Sequence, residues 1–467
     1  MKIYFYILLF ILLALVSCQA LPPTTLNGTW KSVGSGWLLH IQDSTKYAFY
    51  DLTSISCLPN RKGSLDELTS SLTLENDTLS LRKGVITYKF TSAPSLPTIC
   101  TETVSEARDP IYNFEVFAET VSKHYAFMQL NEIDWSKLYA QQKAKLSPNS
   151  TEAELYLVIE ETLEILKDNH AYLEADEGVY EILEKMEERT PEEEETTLPE
   201  YGDFQVAAMV AKHHLQEELT RDSWLIQWGK MKDDIGYIQV KAMWLYADLD
   251  IPKSLIEEVG YVDAYVETFH QMYEGDYIKQ EVEGVRSIMD TVMQDLAQMQ
   301  TIVIDVRFNG GGQDAVSYEI LSRFIPTQTQ IATQKLYYEN QFTPTSPLYI
   351  EGRKDAYTRP VYVLTSPQTG SAAESFSIAT LSIPHIQRIG SATSGAMSTA
   401  LEKTLPNGWS FAISNEIYMD NQGKCYENQG IPVDHELSYP RERQSFFRSV
   451  VDDLAGDQAA ILASIQP

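Results

Sequence analysis

The chain has 467 residues, 43% of them hydrophobic and 22% charged, which is enough apolar material for a sizeable core and more chain than one compact domain usually holds. Its 66 acidic and 36 basic side chains leave a formal charge of −30 and a pI near 4.6. That balance excludes nucleic acid as a partner, because phosphate binding needs clustered Lys and Arg, and it works against adhesion to anionic lipid by charge.

Any membrane attachment must therefore come from another source, and the first residues supply one. Lys2 opens a short positive region, and Ile3 to Val16 is an almost unbroken apolar run. The run is too short for a comfortable transmembrane helix and fits the core of a secretory signal. It ends in Leu15-Val16-Ser17-Cys18, which resembles the bacterial lipobox; an ordinary signal peptide with a chance cysteine is the alternative. The resemblance implies a signal over residues 1–17, acylation of Cys18 and a tether over 18–27. Several acyl chains at roughly 0.8 kcal/mol per buried CH₂ would hold firmly. The expected location is outside the cytoplasm, lipid-anchored to the cell envelope at the outer membrane or the periplasmic face.

Residues 28–105 read as a small all-β domain, a sandwich or a barrel. Trp30 to Val33, Trp37 to Ile41, Tyr47 to Leu52, Leu72 to Leu74 and Val85 to Phe90 are β-rich and separated by Gly, Asn, Asp and Ser. Cys57 and Cys100 flank part of this region and could pair in an oxidising compartment, leaving Cys425 free. No C-x-x-C pair or His/Cys cluster suggests a metal, and no cofactor is expected. Residues 106–183 switch to helical spacing, with Phe114, Phe117 and Val121 on one face and Leu155, Ile159, Leu163 and Leu166 on another. A capped start is predicted around Thr151, and the second helix runs into Leu166-Lys167-Asp168-Asn169-His170. Residues 184–202, rich in Glu and bounded by Pro, read as a solvated connector. From 203 to 467 strands and helices alternate, the pattern of an α/β layer.

Two loops carry the chemistry. Asp305-Val306-Arg307-Phe308-Asn309-Gly310-Gly311-Gly312 follows a buried apolar strand. Three glycines in a row imply unusual torsions or close approach, and their N–H groups could face an anion such as an oxyanion. No Gly-Lys-Ser/Thr follows, so this is not a phosphate-binding P-loop. The second loop, Leu364-Thr365-Ser366-Pro367-Gln368-Thr369-Gly370-Ser371-Ala372-Ala373-Glu374, turns a strand into a helix with Ser371 at its start. Unpaired N–H groups there favour developing negative charge. From this segment alone, helix capping and nucleophilic catalysis are equally good readings of Ser371.

Together the two loops resemble the paired signature of the tail-specific (C-terminal processing) protease and tricorn-type serine peptidase family, a strand ending in D-x-R-x-N-x-G-G and another ending in S-A-A-E. Ile235-Gly236-Tyr237-Ile238 and Ile389-Gly390-Ser391-Ala392-Thr393-Ser394-Gly395 match two further segments in order, so the resemblance spans about residues 110–440. It implies a crotonase-like ββα peptidase core of α/β (α+β) class with an N-terminal helical subdomain, and acyl-enzyme chemistry on Ser371. Where processing proteases carry a lysine base, this chain has Ala396, so a Ser-Lys dyad is not supported. The tricorn-like branch implies His170 as general base, near the working pH, and Glu427 as its orienter. The segment around Glu427 carries one extra residue between Pro432 and Asp434. Asn169 stands where that branch has a bridging serine. Gly311 and Ala372 are the oxyanion donors expected, Asp305 and Arg307 a supporting pair.

The 65 residues between His170 and Gly236 show no Gly-Leu-Gly loop, so no PDZ domain is expected. The reading is an exported, lipid-anchored serine peptidase acting on peptide or protein, in an undetermined oligomeric state. Its alternative is a catalytically degenerate peptide- or glycan-binding lipoprotein on the same fold.

Overall fold

The computed structural model describes residues 25–102, 107–187 and 200–465. Cys18, the signal segment and residues 188–199 of the acidic stretch lie outside the described residues. Of that stretch, 184–187 form the end of a helix, Glu177–Glu187.

The N-terminal region is one seven-stranded antiparallel sheet, not two packed sheets. Its strands are β1 (Gly28–Ser32), β2 (Trp37–Gln42), β3 (Lys46–Leu52), β4 (Cys57–Ser64), β5 (Leu72–Glu75), β6 (Thr78–Lys83) and β7 (Ile86–Ala93), in the order β4-β3-β2-β1-β7-β6-β5. Sequence patterning missed β6, although its buried Leu79 and Leu81 alternate, and it missed β4, which lacks apolar alternation and contains Pro59. Such a strand is tolerated at a sheet edge, where a missing N–H breaks no ladder. The buried face gathers Trp30, Leu39, Ile41, Leu79, Leu81 and Phe90, with Tyr273 added from the other half of the chain. Cys57 and Cys100 are bonded, tying β4 to the chain beyond β7, and Cys425 is free.

The helical region follows its predicted pattern. Pro110–His124 starts on Asp109, whose carboxylate accepts the Tyr112 N–H, and Glu152–Leu166 starts on a Thr151/Glu154 capping box. The second helix stops at Lys167 in a left-handed conformation, φ 55°, so the chain turns sharply just before His170. Next come β8 (Tyr172–Glu174), helix Glu177–Glu187, helix Asp203–His214, β9 (Glu217–Glu218), β10 (Ile226–Lys232) and β11 (Ile235–Val240).

The remaining strands are β12 (Thr301–Asp305), β13 (Thr329–Tyr338), β14 (Gln341–Phe342), β15 (Ser346–Ile350), β16 (Val361–Thr365), β17 (Ile386–Gly390), β18 (Ala400–Thr404), β19 (Ser410–Ser414), β20 (Glu416–Met419) and β21 (His435–Glu436). A seven-stranded sheet in the order β21-β17-β16-β12-β11-β10-β9 forms the centre. β11, β12, β16, β17 and β21 run parallel in it. Their runs of buried Ile and Val are what a parallel sheet covered on both faces requires. A 22-residue helix, Glu274–Asp295, precedes β12. Among the described residues no helix is long and apolar enough to cross a membrane.

Two features of this topology build the site. Asp305 pairs with Leu364, so the glycine loop after β12 and the serine loop after β16 emerge side by side at the carboxyl ends of adjacent parallel strands, where α/β sheets bind ligands. β8 pairs with β19, Leu173 opposite Phe411, which brings the end of the helical region onto the same face.

Candidate active site

Ser371 precedes helix Ala372–Thr380, every residue of which is buried. Its backbone sits at φ 51°, ψ −123°, a conformation that costs a non-glycine residue on the order of 1–3 kcal/mol and persists only where its surroundings enforce it. The Ser371 N–H donates to Ala396 O at 3.0 Å. The side chain makes no cap hydrogen bond, which removes the capping reading. Instead Oγ lies 3.2 Å from His170 Nε2, across 201 positions of sequence.

Asp168 holds His170 there. Its carboxylate accepts the His170 N–H at 3.0 Å and both the N–H and the hydroxyl of Ser414, each at 2.6 Å. The turn that carries the imidazole is thereby latched to the end of β19. Burial lowers the imidazole pKa below its ordinary 6.5, with the Asp168 charge pulling the other way, so the ring is neutral at neutral pH. Nδ1 is buried and has no hydrogen-bond partner among the described residues.

The expected contact between Glu427 and the imidazole is not made. Glu427 Oε2 accepts the Met397 N–H at 3.0 Å, and Asn428 N–H donates to Gly395 O at 2.8 Å. The 395–397 loop wraps over residues 427–428, and the carboxyl is spent on that backbone. Burial, helped by the charges of Glu374 and Asp168 and opposed by Met397 N–H, pushes Glu427 up to about 8. Asn169, the expected bridge, is exposed. It lines an open depression of about 530 Å³ with Asn131, Lys167, Asp168 and Asn428.

The glycine loop also differs from expectation in one donor. Gly311 packs so closely on the serine loop that an added Cβ would lie 2.5 Å from Ser371 Cβ, and its φ is +117°. Its N–H, however, donates to Asn309 Oδ1 at 2.9 Å and is not free for an oxyanion. The N–H groups of Ala372 and Gly312 have no partner among the described residues. Asn309 Nδ2 in turn donates to Val240 O at 3.0 Å, pinning the loop to β11.

Beneath the loop, Arg307 Nη2 donates to Asp305 Oδ2 at 2.7 Å and Nη1 to both oxygens of Asp457 at 2.9 Å, so the predicted pair is present with an additional acid from the last helix. Behind Ser371, Glu374 Oε1 accepts from Thr393 Oγ1 at 2.6 Å and Gly395 N–H at 2.8 Å, and Oε2 accepts the Ala396 N–H at 2.6 Å. Burial pushes it up to about 7. Asp168 and Glu374 stand within the motifs read from the sequence, but their roles were not read. Nothing in the sequence pointed to Ser414.

Residues 234–437 match the model of peptidase family S41. Among solved structures, a candidate peptidase from Parabacteroides merdae ATCC 43184 superposes with a TM-score of 0.52 at 18% identity, covering 74% of this chain and 97% of that one. A mutant form of CPAF superposes with a TM-score of 0.50 at 11% identity, covering 77% and 99%. At these identities the two structures speak to the fold.

Proposed function

We propose, from the premise that residues 234–437 are a peptidase family S41 domain of the tail-specific and tricorn kind, that the chain is a serine peptidase working through an acyl-enzyme on Ser371. The observation that carries this is the 3.2 Å approach of Ser371 Oγ to His170 Nε2 by a serine in a strained backbone that caps nothing. Neutral His170 takes the Ser371 proton as Oγ attacks the scissile carbonyl. The oxyanion is met by the Ala372 N–H at the helix start and by the unspent N–H of Gly312 in place of Gly311. The imidazolium then protonates the leaving amine, and a water deprotonated by His170 hydrolyses the ester.

Asp168 favours the imidazolium by its charge and fixes the ring through the backbone of its turn; it is a positioning residue. Glu427 acts on the 396–398 loop. With its carboxyl raised to about 8, it is mainly protonated at neutral pH and adds little negative charge beside the developing oxyanion. The signal-like N-terminus and the lipobox-like Cys18 support export and lipid anchoring in a bacterial envelope.

A fluorophosphonate serine-hydrolase probe tests the assignment. Wild type is expected to be labelled, and Ser371→Ala and His170→Ala to lose labelling and peptide turnover by at least about 10³-fold. Full peptidase activity in Ser371→Ala would sink the mechanism. Because burial lowers His170, kcat/KM should lose activity on the acid side only below pH 6.5, with a single-proton slope; an acid limb above that value would point to another base. The unpartnered Nδ1 favours a second reading, a binding protein that has lost turnover. A folded wild type that binds peptide and takes no label would decide for it.

A further inference from the structure

The N-terminal sheet does more than pack on the catalytic half. Between them lies a cavity of about 400 Å³, within the roughly 300–1,000 Å³ of ligand pockets. Trp37 and Tyr88 wall it from the sheet, Phe269 from the end of helix Tyr261–Phe269, Tyr273 from the cap of helix Glu274–Asp295, and Gln313 and Thr399 from the segments after the glycine loop and after Ala396. Those last two place it beside the nucleophile. Gln313 is two residues beyond Gly311, which backs directly on Ser371, so about 7 Å of chain at most separates them. Thr399 is three residues beyond Ala396, whose carbonyl receives the Ser371 N–H.

We propose that this cavity is a side-chain pocket for the substrate, taking a bulky aromatic or long aliphatic residue a few positions from the scissile bond, with the N-terminal sheet as its far wall. The proposal rests on the peptidase reading above. An extended peptide advances about 3.3 Å per residue, so a residue two or three positions from the cleaved bond comes level with Gln313 and Thr399. The cations at the wall are already engaged. Lys83 lies 2.6 Å from Glu274 and 5.0 Å over the Trp37 ring, and Arg61 donates to Met272 O at 2.8 Å. The Glu402 carboxylate on the same wall accepts from Tyr172 Oη at 2.8 Å and has no cation partner among the described residues, so what the cavity offers an occupant is aromatic surface and one acid, and aromatic faces stabilise large apolar side chains.

Peptide series that vary one position at a time between Gly, Leu and Phe test this on the full-length protein. In wild type, one position within three residues of the cleaved bond should favour Phe or Leu over Gly in kcat/KM by about 10–200-fold. Ala400→Trp, which fills the cavity from β18, and Trp37→Ala, which opens it from the sheet, should each cut that ratio at least about fivefold. The ratio is independent of the fraction of active enzyme, so a partly folded variant still gives an answer. An unchanged ratio in both variants, or no bulky preference at any position in wild type, overturns the pocket while leaving probe labelling and the peptidase reading intact. Absence of both labelling and turnover in folded wild type would overturn the peptidase reading first, and the pocket with it.

Discussion

Two buried, charge-bearing clusters flank the glycine and serine loops, and they solve the cost of burial in opposite ways. Under the glycine loop, Asp305, Arg307 and Asp457 form a compensated set, with Arg307 completely buried, Tyr439 Oη accepting from Arg307 Nη1 at 2.9 Å and His214 Nε2 3.3 Å from Asp457. There, despite burial, the Arg307 guanidinium holds the Asp457 carboxyl well below its usual range. Around the serine loop and the 395–398 segment beside it, Glu374, Glu416 and Glu427 are buried against N–H and hydroxyl donors with no cation bridging them among the described residues. Burial raises them to about 7, 7 and 8. One cluster keeps its charges and pairs them; the other gives its charges up. Under the proposed mechanism the difference suits the positions: the paired set braces the glycine loop, whereas fixed negative charge near an oxyanion would oppose the reaction.

The two clusters should therefore respond to opposite ends of the pH scale. Asp457 is depressed, so its contribution to stability is present above its ordinary 3.8 and is lost as pH falls below it. The three glutamates are raised, so theirs is complete below their ordinary 4.5 and is lost as pH rises toward 7 and 8.

The largest effect is expected from breaking the paired set. Arg307→Met leaves two buried carboxylates facing each other and should lower stability by about 3–5 kcal/mol in urea unfolding. A loss under about 1 kcal/mol would mean that the cluster is not acting as a unit. Glu427→Gln tests the other cluster. The amide cannot ionise, so the fall in stability between pH 4.5 and 8 should flatten by roughly 4 kcal/mol, visible as a weaker pH dependence of Tm. A slope unchanged from wild type would place the titration elsewhere. The smallest effect should come from a pair left in water. Lys185 and Glu181, 3.5 Å apart and more than half exposed, should yield under about 0.5 kcal/mol on Lys185→Ala.

Much of the site was legible because its residues are unusual where they stand. A glycine triplet after a buried strand, a serine at a helix start between small residues, and a histidine just past a capped amphipathic helix each break the local pattern. The strand and helix alternation of the catalytic half was legible from hydrophobic period alone. The Asp168 latch on Ser414 was not, because it joins positions 246 apart and either residue alone looks like an ordinary turn or strand end. Nor was the diversion of the Gly311 N–H, since an asparagine beside glycines reads as turn chemistry until its side chain is placed. β4 escaped because edge strands need not alternate.

By itself, the sequence determined the alternating layers of the C-terminal half, the capped helices before His170, and the short list from which the proposed nucleophile and base are drawn, because these follow from local period, caps and residue chemistry. Only the tertiary structure decided that Ser371 caps nothing, that His170 reaches it, that Glu427 turns to the backbone of Met397, and that the N-terminal sheet closes a cavity beside the site. The reason is physical. Each of those outcomes depends on which of several competing donors and acceptors ends up within about 3 Å, and segments distant in sequence settle that only when they pack.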